Sequence, residues 1–158
     1  MKNRIIRKLV KLTPILLVSA FIGLQFVPAP AVSKTATTKP HTAEMINPQV
    51  GKILDRSCQD CHSNRTAWPW YSHIAPVSWA VSKHVIQGRE TLDFTDWETR
   101  PPSEGERMSI CAAVSDGRMP LHGYTAIHRN ARLSKQDVEL ICKWAVAPSK
   151  PVTSGHLH

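Results

Sequence analysis

The sequence predicts an all-α domain of about four helices joined by long loops and preceded by an apolar N-terminal helix. Apolar residues recur at helical spacing in four segments, and capping residues mark where these segments begin or end. No run of alternating apolar and polar residues indicates a strand. We expect a leader at residues 1–32, a linker at 33–45, one domain at 46–148 and a disordered tail at 149–158.

The first 32 residues carry the pattern of an export signal or an N-terminal membrane anchor. Basic residues precede a largely apolar stretch, which leaves the start of the chain in the cytoplasm while the rest crosses the membrane. Ala29-Pro30-Ala31 resembles a cleavage site, whereas residues 12–32 are about long enough to span a bilayer. Both outcomes stay open, and we favour retention as an anchor. Either one places the domain outside the cytoplasm.

Positive charge is concentrated at the N-terminus. The net charge is +8, and five basic residues come before the first acidic one, which leaves +3 for the rest of the chain. A domain this mildly basic does not support a nucleic-acid partner. It does suit transient docking to a protein with an acidic docking face. The five basic residues are Lys2, Arg4, Arg7, Lys8 and Lys11.

The first helix of the domain leads into a motif of two cysteines. Asn47 suits the N-cap and Pro48 the first helical position, so we expect one helix from here into residues 58–62. Val50 and Ile53 then fall on one face at helical spacing. The motif therefore lies at the end of a helix, beside an apolar stripe.

Residues 58–62 read CQDCH, the pattern of c-type haem attachment. Cys58 and Cys61 would each bond to one vinyl group of the porphyrin, and His62 would bind the iron from the proximal side. We expect the carbonyl of Pro76 to accept the proton of His62 Nδ1 and so leave the other nitrogen for the metal. A redox dithiol, a local disulfide and half of a zinc site are the alternatives.

The loop after the motif is rich in aromatic residues. Trp68, Trp70 and Tyr71 could wall the edge of a haem or donate hydrogen bonds to its propionates. A plain aromatic core accounts equally well for any one of them. Trp70 and Tyr71 are retained as candidate haem neighbours.

A second helix is expected from Pro76 to about Gln87, with Gly88 closing it. His84 would lie on its apolar face, where a histidine is more often a hydrogen-bonded core residue than a ligand. We keep it as a second choice for the distal iron position. The shared face consists of Val77, Val81, His84, Val85 and Gly88.

Two more helices complete the predicted domain. Residues 92–102 form a loop that places Phe94 and Trp97 in the core. A capping box at 103–106 opens the third helix, and Gly117 ends it. A Ser/Asp box at 134–137 opens the last helix. The expected buried face of the third helix consists of Met108, Cys111, Ala112 and Ser115.

Met119 is the candidate distal ligand. It lies in a short loop between two predicted helices, 57 residues after His62. Gly117 lets the chain turn and Pro120 stiffens the loop, so the thioether can be aimed at one point. A thioether is a soft neutral ligand that suits haem iron. The alternative is a methionine that fills a gap in the core.

Cys111 and Cys142 remain after the motif is assigned. They could pair in an oxidising compartment or lie unpaired as small buried residues. We favour the unpaired state, because each lies on the face of a predicted helix.

Over about residues 46–147 the sequence resembles the single-haem cytochrome c fold, and more closely the bacterial haem-binding domain family. The resemblance implies one covalent haem c, with His62 as proximal and Met119 as distal ligand. From the N-terminal segment we expect the domain in the periplasm or on the extracytoplasmic face of the bacterial inner membrane. The resemblance says little about physiological role. The segments that match are 58–64, 69–72, 75–79, 84–85, 88–89, 117–120 and 131–134, with Phe94, Trp97, Tyr124, His128 and Trp144.

The function expected first is that of a one-electron carrier, not an enzyme, whose partners are redox proteins and the haem-maturation machinery. A haem sensor with a displaceable Met119 is the second hypothesis. A peroxidase would need His84 or His128 as a distal acid–base group. A thiol–disulfide protein would use Cys58 and Cys61 without haem.

Overall fold

A computed structural model describes residues 2–32 and 46–148 of the chain. Within them the chain forms seven α-helices, two 3-10 turns and no strand, which confirms the all-α prediction. The predicted linker at 33–45 and tail at 149–158 lie outside the described residues. The helices are α1 (Lys2–Leu24), α2 (Pro48–Ser57), α3 (Gln59–His62), α4 (Val77–Thr91), α5 (Glu104–Ser115), α6 (His122–Ile127) and α7 (Lys135–Val146), with 3-10 turns at Trp70–His73 and Arg129–Ala131.

The predicted helix starts are confirmed by their capping bonds. The side chain of Asn47 accepts from the N–H groups of Gln49 (2.9 Å) and Val50 (3.4 Å), and Pro48 is the first residue of α2. Ser103 and Ser134 each form a complete capping box. Such caps satisfy N–H groups that have no partner inside the helix, each contributing about 1 kcal/mol.

Two predicted helix ends are wrong. The first helix does not run through the motif: α2 ends at Ser57, Cys58 adopts φ −130°, and a separate short helix α3 follows. The second helix does not stop at Gly88 but continues to Thr91. Gly88 instead allows close packing against another helix. A sequence pattern cannot distinguish a glycine with this role from a glycine that ends a helix.

The core forms where α2, α5 and α7 meet the loop after α4. Phe94 and Trp97 of that loop are 2% and 1% exposed, as predicted, with ring centroids 4.4 Å apart. Leu54 from α2 and Ile141 from α7 are fully buried beside them. Burial of an aliphatic side chain of this size contributes about 1.5–3 kcal/mol. This core fixes the helix that leads into the motif.

The buried face of α5 differs from the predicted one. Arg107 and Ile110 are buried, whereas Met108 is 43% exposed. Arg107 can be buried because its Nη1 donates to the carbonyls of Trp144 (3.3 Å) and Ala147 (2.8 Å) at the end of α7. Carbonyls at a helix C-terminus lack partners within the helix and attract cations. An apolar pattern cannot identify a core position that is filled by a cation.

Cys111 of α5 and Cys142 of α7 form a disulfide, with Cα atoms 4.9 Å apart. The interpretation of both as unpaired core residues is therefore wrong. Each does lie on a helix face, but the two faces meet at the edge of the core, where both side chains are half-buried. The bond fastens α5 to α7 across a sequence separation of 31.

The apolar side chains of α1 are exposed from Val10 onwards, with Leu16 at 67%. In the described part of the chain, no helix has both the length and the apolar character needed to cross a membrane. The segment after α1 contacts the domain near the start of α4.

Candidate functional site

One cavity brings together the four residues that the sequence predicts as thioether and iron ligands. It has a volume of about 300 Å³, and its lining includes Cys58, Cys61, His62 and Met119. The motif and the methionine are separated by two long helices in the sequence, so the fold has placed them at one site. A cavity of this size, with a few convergent polar groups, is typical of a small-molecule site.

Gly88 lets the motif helix lie directly against α4. A Cβ atom at this position would be 2.5 Å from the carbonyl oxygen of Cys61, a distance that only glycine avoids. The backbone of the motif is therefore held against α4 at one fixed point. The predicted role of Gly88 as a helix end is wrong, because a contact between distant segments leaves no local signal in the sequence.

The ring of His62 is held from one side by a backbone carbonyl. Its Nδ1 lies 2.9 Å from the carbonyl oxygen of Leu92, and since a carbonyl only accepts, Nδ1 donates. The predicted acceptor, the carbonyl of Pro76, is wrong, since it accepts from N–H groups of the first turn of α4. The ring also stacks on Phe94, with centroids 5.6 Å apart. Nε2 is thereby left as the nitrogen that can bind a metal.

Both thiols of the motif are unpaired and buried enough to stay protonated. Burial, and next the neighbouring Cys61, raise the pKa of Cys58 to about 12. Burial and then the Asp60 carboxylate raise the pKa of Cys61 to about 11. Thiols that act in disulfide exchange have lowered pKa values. The environment of this pair therefore disfavours a redox dithiol.

The loop that carries Met119 is anchored at the end of α5. Gly117 takes φ +67°, and the N–H groups of Arg118 and Met119 both donate to the carbonyl of Ala113, at 3.0 and 3.1 Å. A positive φ costs glycine little, which is why it commonly follows a helix. Because the loop is fixed to α5, the half-buried Met119 side chain lines the cavity from a defined position.

A second cavity, of about 460 Å³, adjoins the first. Tyr71 lines it, whereas Trp70 is 76% exposed and appears in the lining of neither cavity. The structure thus places one of the two predicted aromatic neighbours at the site and directs the other to solvent. The residues that line both cavities are Asp60, Cys61, His84, Leu121 and Tyr124.

His84 lies between the two cavities on an open face of α4. It is exposed rather than part of a buried stripe, and the buried face of this helix contains Ser78, Ser82, Val85 and Gly88 instead. His128 lines the second cavity, and its Nε2 forms a hydrogen bond with the hydroxyl of Tyr71. Imidazole groups therefore lie at this side of the site in addition to His62.

A polar link between the motif and α6 has no signal in the sequence. The hydroxyl of Tyr124 donates to Oδ2 of Asp60 (2.7 Å), and Oδ1 of Asp60 accepts from the N–H of Ala67 (2.9 Å). Burial, followed by the Asp60 carboxylate, raises the pKa of Tyr124. The ring of His128 stacks on Tyr124 at 4.3 Å. Asp60 is one of the two unspecified residues of the CxxCH pattern, so the motif gives no signal for it.

A basic side chain ties the loop after the motif to α4. Nε of Arg89 donates to the carbonyl of Ser63 (2.9 Å), and its Nη2 donates to the hydroxyl of Thr66 (3.1 Å). Thr66 in turn donates to the carbonyl of Asp60 (2.6 Å). These bonds hold the carbonyls of Asp60 and Ser63, which lie on either side of Cys61 in the chain. Together with Gly88 they make the motif a rigid element.

Comparison with known proteins gives one family. The family model described as a haem-binding domain matches residues 19–147, more than three-quarters of the chain. No curated protein and no solved structure matches the sequence.

Proposed function

This chain belongs to the haem-binding domain family, and on that premise we propose that it is a c-type haem protein that carries single electrons outside the cytoplasm. The observation that supports this most is the shared cavity. It collects two free thiols, an oriented imidazole and a thioether from separate segments. These are the groups that covalent attachment and axial ligation of a haem require.

The motif residues fit the attached group in chemistry and in arrangement. Cys58 and Cys61 would hold it through two thioether bonds, and His62 would offer Nε2, because Nδ1 donates to Leu92. The bound haem would supply a one-electron Fe(III)/Fe(II) couple. Phe94 and the carbonyl of Leu92 keep the imidazole ring in one orientation. A fixed ring lowers the reorganisation that accompanies a change of charge at the metal.

Met119 completes the proposed ligand set. Its backbone N–H donates a hydrogen bond to the carbonyl of Ala113 in α5, and the disulfide fastens α5 to α7. The loop is therefore attached to α5 and, through α5, to α7. A neutral sulfur ligand favours the reduced iron. With His62 and Met119 both holding the iron, the site would transfer electrons rather than bind substrate.

The disulfide supports a location outside the cytoplasm. Disulfides persist in oxidising compartments such as the periplasm and are rare where thiols are kept reduced. The Cys111–Cys142 bond thus agrees with the compartment in which apocytochromes receive haem. Redox partners would dock there through an acidic face of their own, and the docking rate would fall as the salt concentration rises.

The proposal is tested on the full chain, exported together with haem-maturation machinery. In the oxidised protein we expect the far-red absorption band of iron–thioether bonding. Met119→Ala should remove this band. Met108→Ala is the matched control, since Met108 lies on the exposed face of α5, and it should keep the band.

Two results would overturn the proposal. Survival of the band in Met119→Ala would exclude this residue as the ligand. Prompt binding of carbon monoxide by the reduced wild-type protein would show an open or displaceable position and would favour the sensor hypothesis over the electron carrier. A reduced spectrum unchanged by carbon monoxide supports the carrier.

A further inference from the structure

The segment after α1 is bound to the domain by three hydrogen bonds. Two come from the side chain of Gln25: Nε2 donates to the carbonyl of Ala75 (3.1 Å), and Oε1 accepts from the N–H of Ala75 (3.0 Å). The third runs from Nε1 of Trp79 to the carbonyl of Val27 (3.1 Å). One side-chain amide thus satisfies both backbone groups of Ala75, as a neighbouring strand would.

The domain provides a shaped site for this segment. Ala75 is 3% exposed and lies directly before the first turn of α4. A separate cavity between the segment and the domain is lined by residues 27–32 on one side and by Trp68, Ser72 and Ser82 on the other. With the segment in place Ala75 is buried, and buried backbone groups without partners are costly, so Gln25 supplies the partners that this burial requires.

The family match reaches into the same segment. It begins at residue 19, inside α1, and not at the first helix of the predicted domain. A sequence shared across the family over residues 19–32 is expected if this stretch belongs to the folded unit. This observation is independent of the hydrogen bonds.

We propose that Gln25 and Val27 are a structural part of the folded domain and remain attached to it in the exported protein. Cleavage after Ala31 would remove both residues and leave the backbone groups of Ala75 without these bonds. The bonds to Ala75 and the extent of the family match therefore both support retention, whatever α1 itself contacts. The proposal does not depend on haem attachment, so either can fail alone.

The attachment also fixes α1 relative to the motif. Trp79 contacts the segment near the start of α4, and Gly88 contacts Cys61 near its end. Gly88 lies nine positions after Trp79 in α4, and at 1.5 Å per position the two contacts are about 14 Å apart along the helix axis. Helix α4 thereby acts as a spacer between α1 and the cysteines.

The test uses the full chain after export. Intact mass should show that residues 25–32 are present. Hydrogen–deuterium exchange of the peptide that contains Ala75 should become about tenfold faster at this amide in Gln25→Ala. Gln136→Ala, an exposed glutamine on α7, is the matched control and should leave the exchange unchanged.

A mature protein that begins after Ala31 would overturn the proposal. So would an Ala75 amide that exchanges equally fast in the wild type and in Gln25→Ala. A retained segment with faster exchange in Gln25→Ala alone supports it.

Discussion

The two cysteine pairs of this chain differ in their surroundings and in whether the two sulfur atoms are bonded to each other. Cys111 and Cys142 are far apart in sequence, on two long helices in direct contact, and are bonded to each other. Cys58 and Cys61 are separated by two residues, at a four-residue helix, and both are free and line a cavity. One pair fastens helix to helix, and we infer that the other fastens a ligand. The spacing of Cys58 and Cys61 identifies their pair in the sequence, whereas only the packing of α5 against α7 shows that Cys111 and Cys142 are bonded.

Exchanging both cysteines of either pair for serine should separate these roles and give the largest effects. Cys58→Ser with Cys61→Ser should abolish covalent haem, because no sulfur remains to form a thioether. Cys111→Ser with Cys142→Ser should keep the covalent haem but lower the free energy of unfolding by about 2–4 kcal/mol. Haem staining of denatured protein measures the first effect and chemical denaturation the second. Equal loss of covalent haem in both double variants would contradict the comparison.

Gly88→Ala tests whether the position of the CxxCH motif depends on the close approach of its backbone to α4. The added Cβ would be 2.5 Å from the carbonyl oxygen of Cys61, so one of the two helices must move. We expect unfolding to become easier by about 1–3 kcal/mol and the yield of covalent haem to fall. Chemical denaturation and haem staining measure these two quantities.

Gly105→Ala is the matched control, since no atom lies within 4 Å of its Cβ position and it also lies in a helix. Alanine is the better helix former, so this variant should be stabilised by up to about 1 kcal/mol. If both glycine variants behave alike, the contact of Gly88 does not position the motif.

The smallest expected effect is a pH dependence of stability that comes from Glu106 in the first turn of α5. Burial raises the pKa of Glu106, but hydrogen bonds from Ser103 and Arg100 outweigh it and hold the pKa below its ordinary value. These bonds therefore contribute fully to stability above the pKa that Glu106 has in the unfolded chain. Their contribution is lost as the pH falls through the lower pKa that Glu106 has in the folded protein. Glu106→Gln should lower stability at neutral pH by about 0.5–1 kcal/mol, and by less in acid.

Denaturation at several pH values measures this difference. Glu104→Gln keeps both bonds of the capping box and serves as the control. An acid dependence that is the same in Glu106→Gln and in the wild type would contradict the assignment.

Local features of this fold were predictable from sequence. The caps at Asn47, Ser103 and Ser134 are formed by residues three or fewer positions from the groups they bind, so a short pattern contains all the information. The CxxCH motif is equally local. Phe94 and Trp97 were placed in the core because large aromatic rings in a short loop have few other places to be buried.

The contacts between distant segments could not be predicted from the sequence, because they depend on how the helices are rotated and how closely they approach each other. The Cys111–Cys142 bond requires that α5 and α7 turn the same edge toward each other, which neither helix encodes alone. The acceptor for His62 Nδ1 is the carbonyl of Leu92, just past the end of α4, because the carbonyl of Pro76 accepts from the first turn of that helix. The Tyr124–Asp60 bond joins residues 64 positions apart with no pattern between them.

The central claim is that the motif cavity holds a haem by covalent bonds to Cys58 and Cys61. The intact mass of the denatured, fully matured protein tests it most directly. We expect the mass of the chain plus one haem, and after digestion the addition should be found on the peptide that contains both motif cysteines. A chain of unmodified mass, or a haem carried by any other peptide, would contradict this account.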